Sequence, residues 1–140
     1  MIVLGGAVVT ATLPSLLAGV ERHDDTPGWD LQLALEALAC LERSRAAGQR
    51  GLDIESLASA LRVDPLQLEP PLETLAALDW VGRLSEDEAR LVLLVDPAAT
   101  PLAPLLQALA LPLAEGTRTL WQASGWQRLA LADVLPRAVA

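Results

Sequence analysis

Few side chains in this sequence have a type and spacing that could do chemistry. His23 is the only histidine and Cys40 the only cysteine, and neither has a partner of its kind nearby. A zinc site needs several Cys or His ligands at short spacing, and a thiol nucleophile needs a base beside it. His23 therefore reads as a solvated side chain in a polar linker, and Cys40 as a core thiol within a helical pattern. Ser44, Ser56, Ser59, Ser85 and Ser124 lie in no nucleophile-elbow context. Gly5-Gly6 is too short and too apolar for a phosphate loop. Glu86-Asp87-Glu88 reads as the solvated tip of a hairpin. No catalytic residue, metal ligand or cofactor site is expected. What remains is a polar set suited to contacts rather than catalysis: Gln67, Glu69, Glu73, Arg83 and Arg90. This set is the candidate interaction surface.

Residues 52–95 must position that set. Over 53–61, Ile54, Leu57, Ala60 and Leu61 share a helical face behind Asp53, a favourable N-cap. Arg62-Val63 is a turn. A second helix starts at Asp64-Pro65-Leu66-Gln67, where Asp64 caps, Pro65 suits the first helical position and Gln67 completes a capping box. Leu68, Leu72, Leu75 and Leu78 continue it as a stripe. Pro70 and Pro71 each remove an amide donor, so the spacing predicts a kink or a late start, with 72–78 secure. Asp79 ends the helix where glycine is usual and is expected at positive φ. Residues 80–84 and 90–95 then read as two strands, with Trp80 a core anchor and the apolar run 92–95 covered on both faces. Two helices followed by a hairpin is the order of a helix-turn-helix with a wing.

Composition sets the frame around this motif. The chain has 140 residues, room for one domain or one domain with an appendage. Hydrophobic residues make up 52%, dominated by Leu and Ala with no Phe or Tyr, which favours helix. All ten basic residues are Arg and the net charge is −8, an acidic balance that repels phosphate backbones. The four tryptophans are too dispersed for a base-stacking platform, and a single cysteine builds no disulfide framework.

Residues 1–20 contain no charge and are long enough to cross about 30 Å of hydrocarbon. No basic segment precedes the apolar run, as a signal peptide would require. They read as the end of a transmembrane helix, with a lipid bilayer as partner; a buried core helix, which Gly5, Gly6 and Pro14 also permit, is the alternative. Residues 21–28 are a polar linker. Residues 29–47 form a long helix in which Leu31, Leu35, Leu38 and Leu41 make the main stripe, widened by Leu33, Ala34, Ala37 and Cys40, and Gly48 closes it. The expected fold is mainly α with a small β-hairpin: a winged helix over 29–96, preceded by the membrane-type segment and followed by a helical extension over 97–140. Within that extension a helix opens at Thr100-Pro101, a short one over 117–123 carries Trp121, and 129–135 is apolar.

Three stretches resemble the C-terminal end of the YihY/BrkB family of bacterial inner-membrane proteins, some of which carry the label ribonuclease BN. MIVLGGAVVTATLPSLLAG is similar to the close of that family's last membrane helix. LASALRVDPLQLEPPLETLAALDWVGRL is similar to its helix-turn-helix, and LVLLVDPAATPLAPLLQALAL to the strand and helix that follow. The resemblance implies a multi-pass protein of the bacterial inner membrane, with residues after 20 in the cytoplasm.

Three functions compete. The first is a non-catalytic cytoplasmic interaction module, with a protein partner or self-association. The second is a DNA-binding regulator. The third is a fragment of a tRNA-processing ribonuclease. A recognition helix for DNA should present Arg, Lys, Asn or Gln to base edges. Here it carries Glu69, Glu73 and Asp79 beside a single Gln67, so nucleic acid is disfavoured. The ribonuclease reading lacks metal ligands or an acid/base pair. The first reading is expected.

Overall fold

A computed structural model describes residues 26–84 and 90–136. The apolar stretch 1–20, residues 21–25 of the expected linker and the connection 85–89, with the expected Glu86-Asp87-Glu88 tip, lie outside them. Among the described residues, no helix is long and apolar enough to cross a membrane.

The chain is mostly helical, with one small antiparallel sheet. Helix α1 (Trp29–Ala46) comes first, followed by the two-residue strand β1 (Leu52–Asp53), α2 (Ile54–Leu61) and α3 (Pro65–Ala77). Strands β2 (Val81–Arg83) and β3 (Arg90–Leu93) follow, then α4 (Ala103–Leu109) and α5 (Arg118–Ser124). The sheet order is β1-β3-β2. Strand β1 has no signature in the sequence, because two residues carry no periodicity. It exists because Leu52 pairs with Leu91 and Asp53 with Arg90. Gly51 makes that approach possible. Its φ is 80°, and a Cβ there would lie 2.6 Å from the Leu91 carbonyl oxygen.

Side-chain caps set the starts of α2 and α3. The Asp53 carboxylate accepts from the Ser56 amide at 3.2 Å and from its hydroxyl at 2.7 Å. These bonds hold the Asp53 carboxyl below its ordinary pKa, the hydroxyl contributing most and Arg90 least. Asp64 accepts from the Leu66 amide at 2.8 Å. Arg62 and Asp79 close α2 and α3 in the left-handed region, at φ 60° and 61°. After Asp79, the Trp80 amide reaches back to the Leu75 carbonyl, and the Trp80 carbonyl accepts from the Leu94 amide. Helix α3 is thereby joined directly to the sheet.

The expected kink at Pro70-Pro71 does not interrupt α3, which runs unbroken from Pro65 to Ala77. Each interior proline costs about 3 kcal/mol, but Pro71 is itself fully buried beside Leu68, Leu72 and Leu75. Burying a side chain of that size returns about 1.5–3 kcal/mol, so packing offsets much of the backbone loss.

One core gathers Leu33, Leu38, Leu41, Leu57, Leu61, Leu68, Leu75, Trp80, Val81, Leu91 and Leu93. On α1 the buried face is Leu33, Ala34, Ala37, Leu38 and Leu41. Leu31 and Leu35, expected in the main stripe, are only partly buried, as is Cys40. The run 92–95 is not covered on both faces either. Strand β3 ends at Leu93, Leu91 and Leu93 point inward, and Leu94 is 55% exposed. With α1 packed against β3 and α3 against β2, one face of the sheet is covered and the other is partly open, so burial alternates.

The extension packs onto the same core. Leu102, Leu105 and Leu131 are core members. The 129–135 segment folds back through an antiparallel bridge between Pro101 and Ala130, with the Leu131 amide donating to the Thr100 carbonyl at 2.7 Å. Helix α4 starts at Ala103 rather than Thr100, because Thr100 and Pro101 are held in that extended pairing.

Candidate functional site

Helix α3 and the β2–β3 hairpin enclose an open cleft of about 430 Å³. Glu69, Leu72, Glu73 and Ala76 form its helix wall, at spacings of three, one and three, which put them on one face. Val81, Gly82 and Arg83 of β2 with Leu91 of β3 form the opposite wall, and Ile54 also lines the cleft. The strand pairing explains the second wall. Val81 lies opposite Leu93 and Arg83 opposite Leu91, so all four side chains share the face turned to α3. Leu72, Val81 and Leu91 are buried and give the cleft an apolar floor, while Glu69, Glu73 and Arg83 are exposed at its edges.

The five polar residues expected to act together are therefore divided. Glu69, Glu73 and Arg83 share the cleft. Gln67 does not, because its Oε1 accepts from the Trp29 indole at 3.1 Å and ties α3 to the start of α1. Arg90 does not either. It donates to the carbonyls of Gly51 at 3.1 Å and Arg50 at 3.4 Å, pinning β3 to the approach to β1. The apolar lining residues Ile54, Leu72, Val81 and Leu91 do not belong to the polar set that the sequence points to. The 69/72/73/76 spacing is a usable signal for the helix wall. The hairpin register that supplies the other wall depends on long-range pairing.

The electrostatics of the cleft are uneven. Among the described residues, neither Glu69 nor Glu73 has a hydrogen-bond or ion-pair partner, whereas Arg83 is already partnered. Two carboxylates four residues apart on a helix repel each other. Among the described residues no group of three or more His, Cys, Asp or Glu side chains is placed to hold a metal ion.

No family model matches the chain. Similarity to individual proteins is strong and nearly end to end. The chain is 52% identical over 145 residues to a UPF0761 membrane protein of Verminephrobacter eiseniae, covering 98% of this chain and 35% of the relative. Close homologues of this chain are UPF0761 membrane proteins. A second, from Albidiferax ferrireducens, is 50% identical over 96% of the chain and 33% of its own length. A third, from Methylibium petroleiphilum, is 48% identical with the same coverage. UPF0761 corresponds to the YihY/BrkB family, the one that the three sequence stretches resemble. The chain spans about a third of the length of these curated relatives. The likeness supports a place in a membrane.

Proposed function

We propose that this chain is the cytoplasmic, non-catalytic winged-helix module at the C-terminal end of a multi-pass bacterial inner-membrane protein of the YihY/BrkB family. It works through protein contacts made at the α3–hairpin cleft. The uncharged stretch 1–20 lies outside the described residues; its length and composition suit a bilayer. The order helix, strand, two helices, two strands and the sheet order β1-β3-β2 support the winged-helix reading. The names of the relatives support the membrane setting.

The observation that carries the proposal is the charge on α3. In a nucleic-acid-binding winged helix, the exposed face of this second helix enters the major groove. Here that face presents Glu69 and Glu73 with no partner among the described residues. Carboxylates so placed meet phosphates with like charge, which works against both DNA and RNA. Beside an apolar floor, the same carboxylates suit a protein surface.

The test is topological. The full-length protein is tagged at its C-terminus with green fluorescent protein or with alkaline phosphatase. The cytoplasmic reading predicts fluorescence and no phosphatase activity. The reverse pattern overturns it.

A further inference from the structure

We infer that the α3–hairpin cleft receives a cationic, amphipathic protein segment. Such a segment places an apolar side chain on the floor formed by Leu72, Val81 and Leu91 and sets Arg or Lys side chains against Glu69 and Glu73. The inference rests on the reading of this cleft as a protein-contact surface and names the chemistry of its partner.

Three features of the cleft converge on that occupant. The first is charge. Glu69 and Glu73 stand four residues apart without a partner among the described residues, an arrangement that weakens the helix it sits on. Two cations from a second segment would turn that repulsion into attraction. Arg83 at the cleft edge already has a partner, and the two carboxylates outnumber its one cation, so the charge lining the cleft is net negative. The second is the floor, apolar and recessed between helix and strand, which takes a hydrophobic side chain rather than a free ion. The third is shape. The cleft is open and runs beside α3, so a segment can lie in it with its cationic face toward Glu69 and Glu73.

The proposed setting supplies such segments. Cytoplasmic flanks of membrane helices carry an excess of Lys and Arg. A flank tethered to the same protein meets the cleft at roughly millimolar effective concentration, so even a weak contact is populated. Anionic lipid and nucleic acid carry the wrong charge for this site.

The probe is an acetylated peptide of about three helical turns built from Leu and Arg, with Leu at three- and four-residue spacing. Its control is the same peptide with Glu for Arg. The full chain is titrated with each by fluorescence anisotropy and by amide chemical shifts. The Arg peptide is expected to saturate, with shifts centred on α3 and β2, and the Glu peptide is expected not to bind. The double variant Glu69→Gln/Glu73→Gln should weaken binding roughly 5- to 10-fold, since each exposed charge pair contributes modestly. Glu36→Gln/Glu115→Gln removes the same total charge elsewhere and should change affinity less than about 2-fold. Ala76→Arg, which puts a competing cation on the helix wall, should weaken binding as the Gln pair does. Absence of Arg-peptide binding overturns the inference. So does equal weakening by both Gln pairs, which marks non-specific attraction to an acidic protein. Either failure leaves the topological reading standing, because the C-terminal reporters decide that separately.

Discussion

Gly51→Ala compared with Gly48→Ala isolates the contact that holds β1 in the sheet. The two glycines share a left-handed backbone, at φ 80° and 84°. An alanine there incurs the same conformational penalty in both, about 1–2 kcal/mol. They differ in what a Cβ meets. At Gly48 nothing lies within 4 Å. At Gly51 the Leu91 carbonyl oxygen is 2.6 Å away and Val92 Cγ1 2.9 Å. The oxygen belongs to the central strand and cannot rotate aside, so β1 must retreat from β3. Overpacking of this kind costs about 1–3 kcal/mol more. Gly48→Ala should therefore lose about 1–2 kcal/mol, and Gly51→Ala about 2–5 kcal/mol. Urea unfolding followed by tryptophan fluorescence measures both. Equal losses would refute the close β1–β3 approach, and with it the three-stranded sheet.

Three further outcomes are expected. Leu75 is fully buried and Leu66 is 68% exposed. Leu75→Ala should therefore cost about 2–5 kcal/mol in urea unfolding, whereas Leu66→Ala should stay within about 0.5 kcal/mol. Asp53 has a lowered carboxyl pKa in the folded chain, so its cap is present above the ordinary aspartate range and is lost as pH falls through and below it. Melting temperature followed from neutral to acid should thus fall less steeply in Asp53→Asn than in the parent, and superimposable curves would contradict the cap. Binding to duplex DNA at physiological salt should be weaker than about 10⁻⁶ M by anisotropy, the tight edge of the non-specific range.

Local chemistry is legible in the sequence and long-range pairing is not. Asp53 and Asp64 are caps because their oxygens reach amides two or three residues on, a relation that spacing alone displays. Asp79 at positive φ follows from a helix that must stop before Trp80 without a glycine. The proline pair misleads because its backbone penalty is local, whereas the burial of Pro71 that offsets it is tertiary. Gln67 looks like a cap and a surface residue, but Trp29, 38 positions away, takes its side-chain oxygen. Arg90 looks like a wing charge, but the carbonyls of Arg50 and Gly51 hold it. Of the cleft, Glu69, Glu73 and Arg83 are visible as charges. Its floor is not, because Leu72, Val81 and Leu91 are brought together only by the docking of α3 on the hairpin.

The claim that this cleft contacts protein rather than nucleic acid is tested most directly by crosslinking inside the cell. Ala76 is exposed and lines the helix wall, so a photoreactive phenylalanine analogue placed there reports what occupies the cleft. In the full-length protein the account predicts an adduct to a protein segment rich in Arg or Lys, which is lost in Glu69→Gln/Glu73→Gln. An adduct to nucleic acid, or an unchanged yield in that double variant, would contradict it.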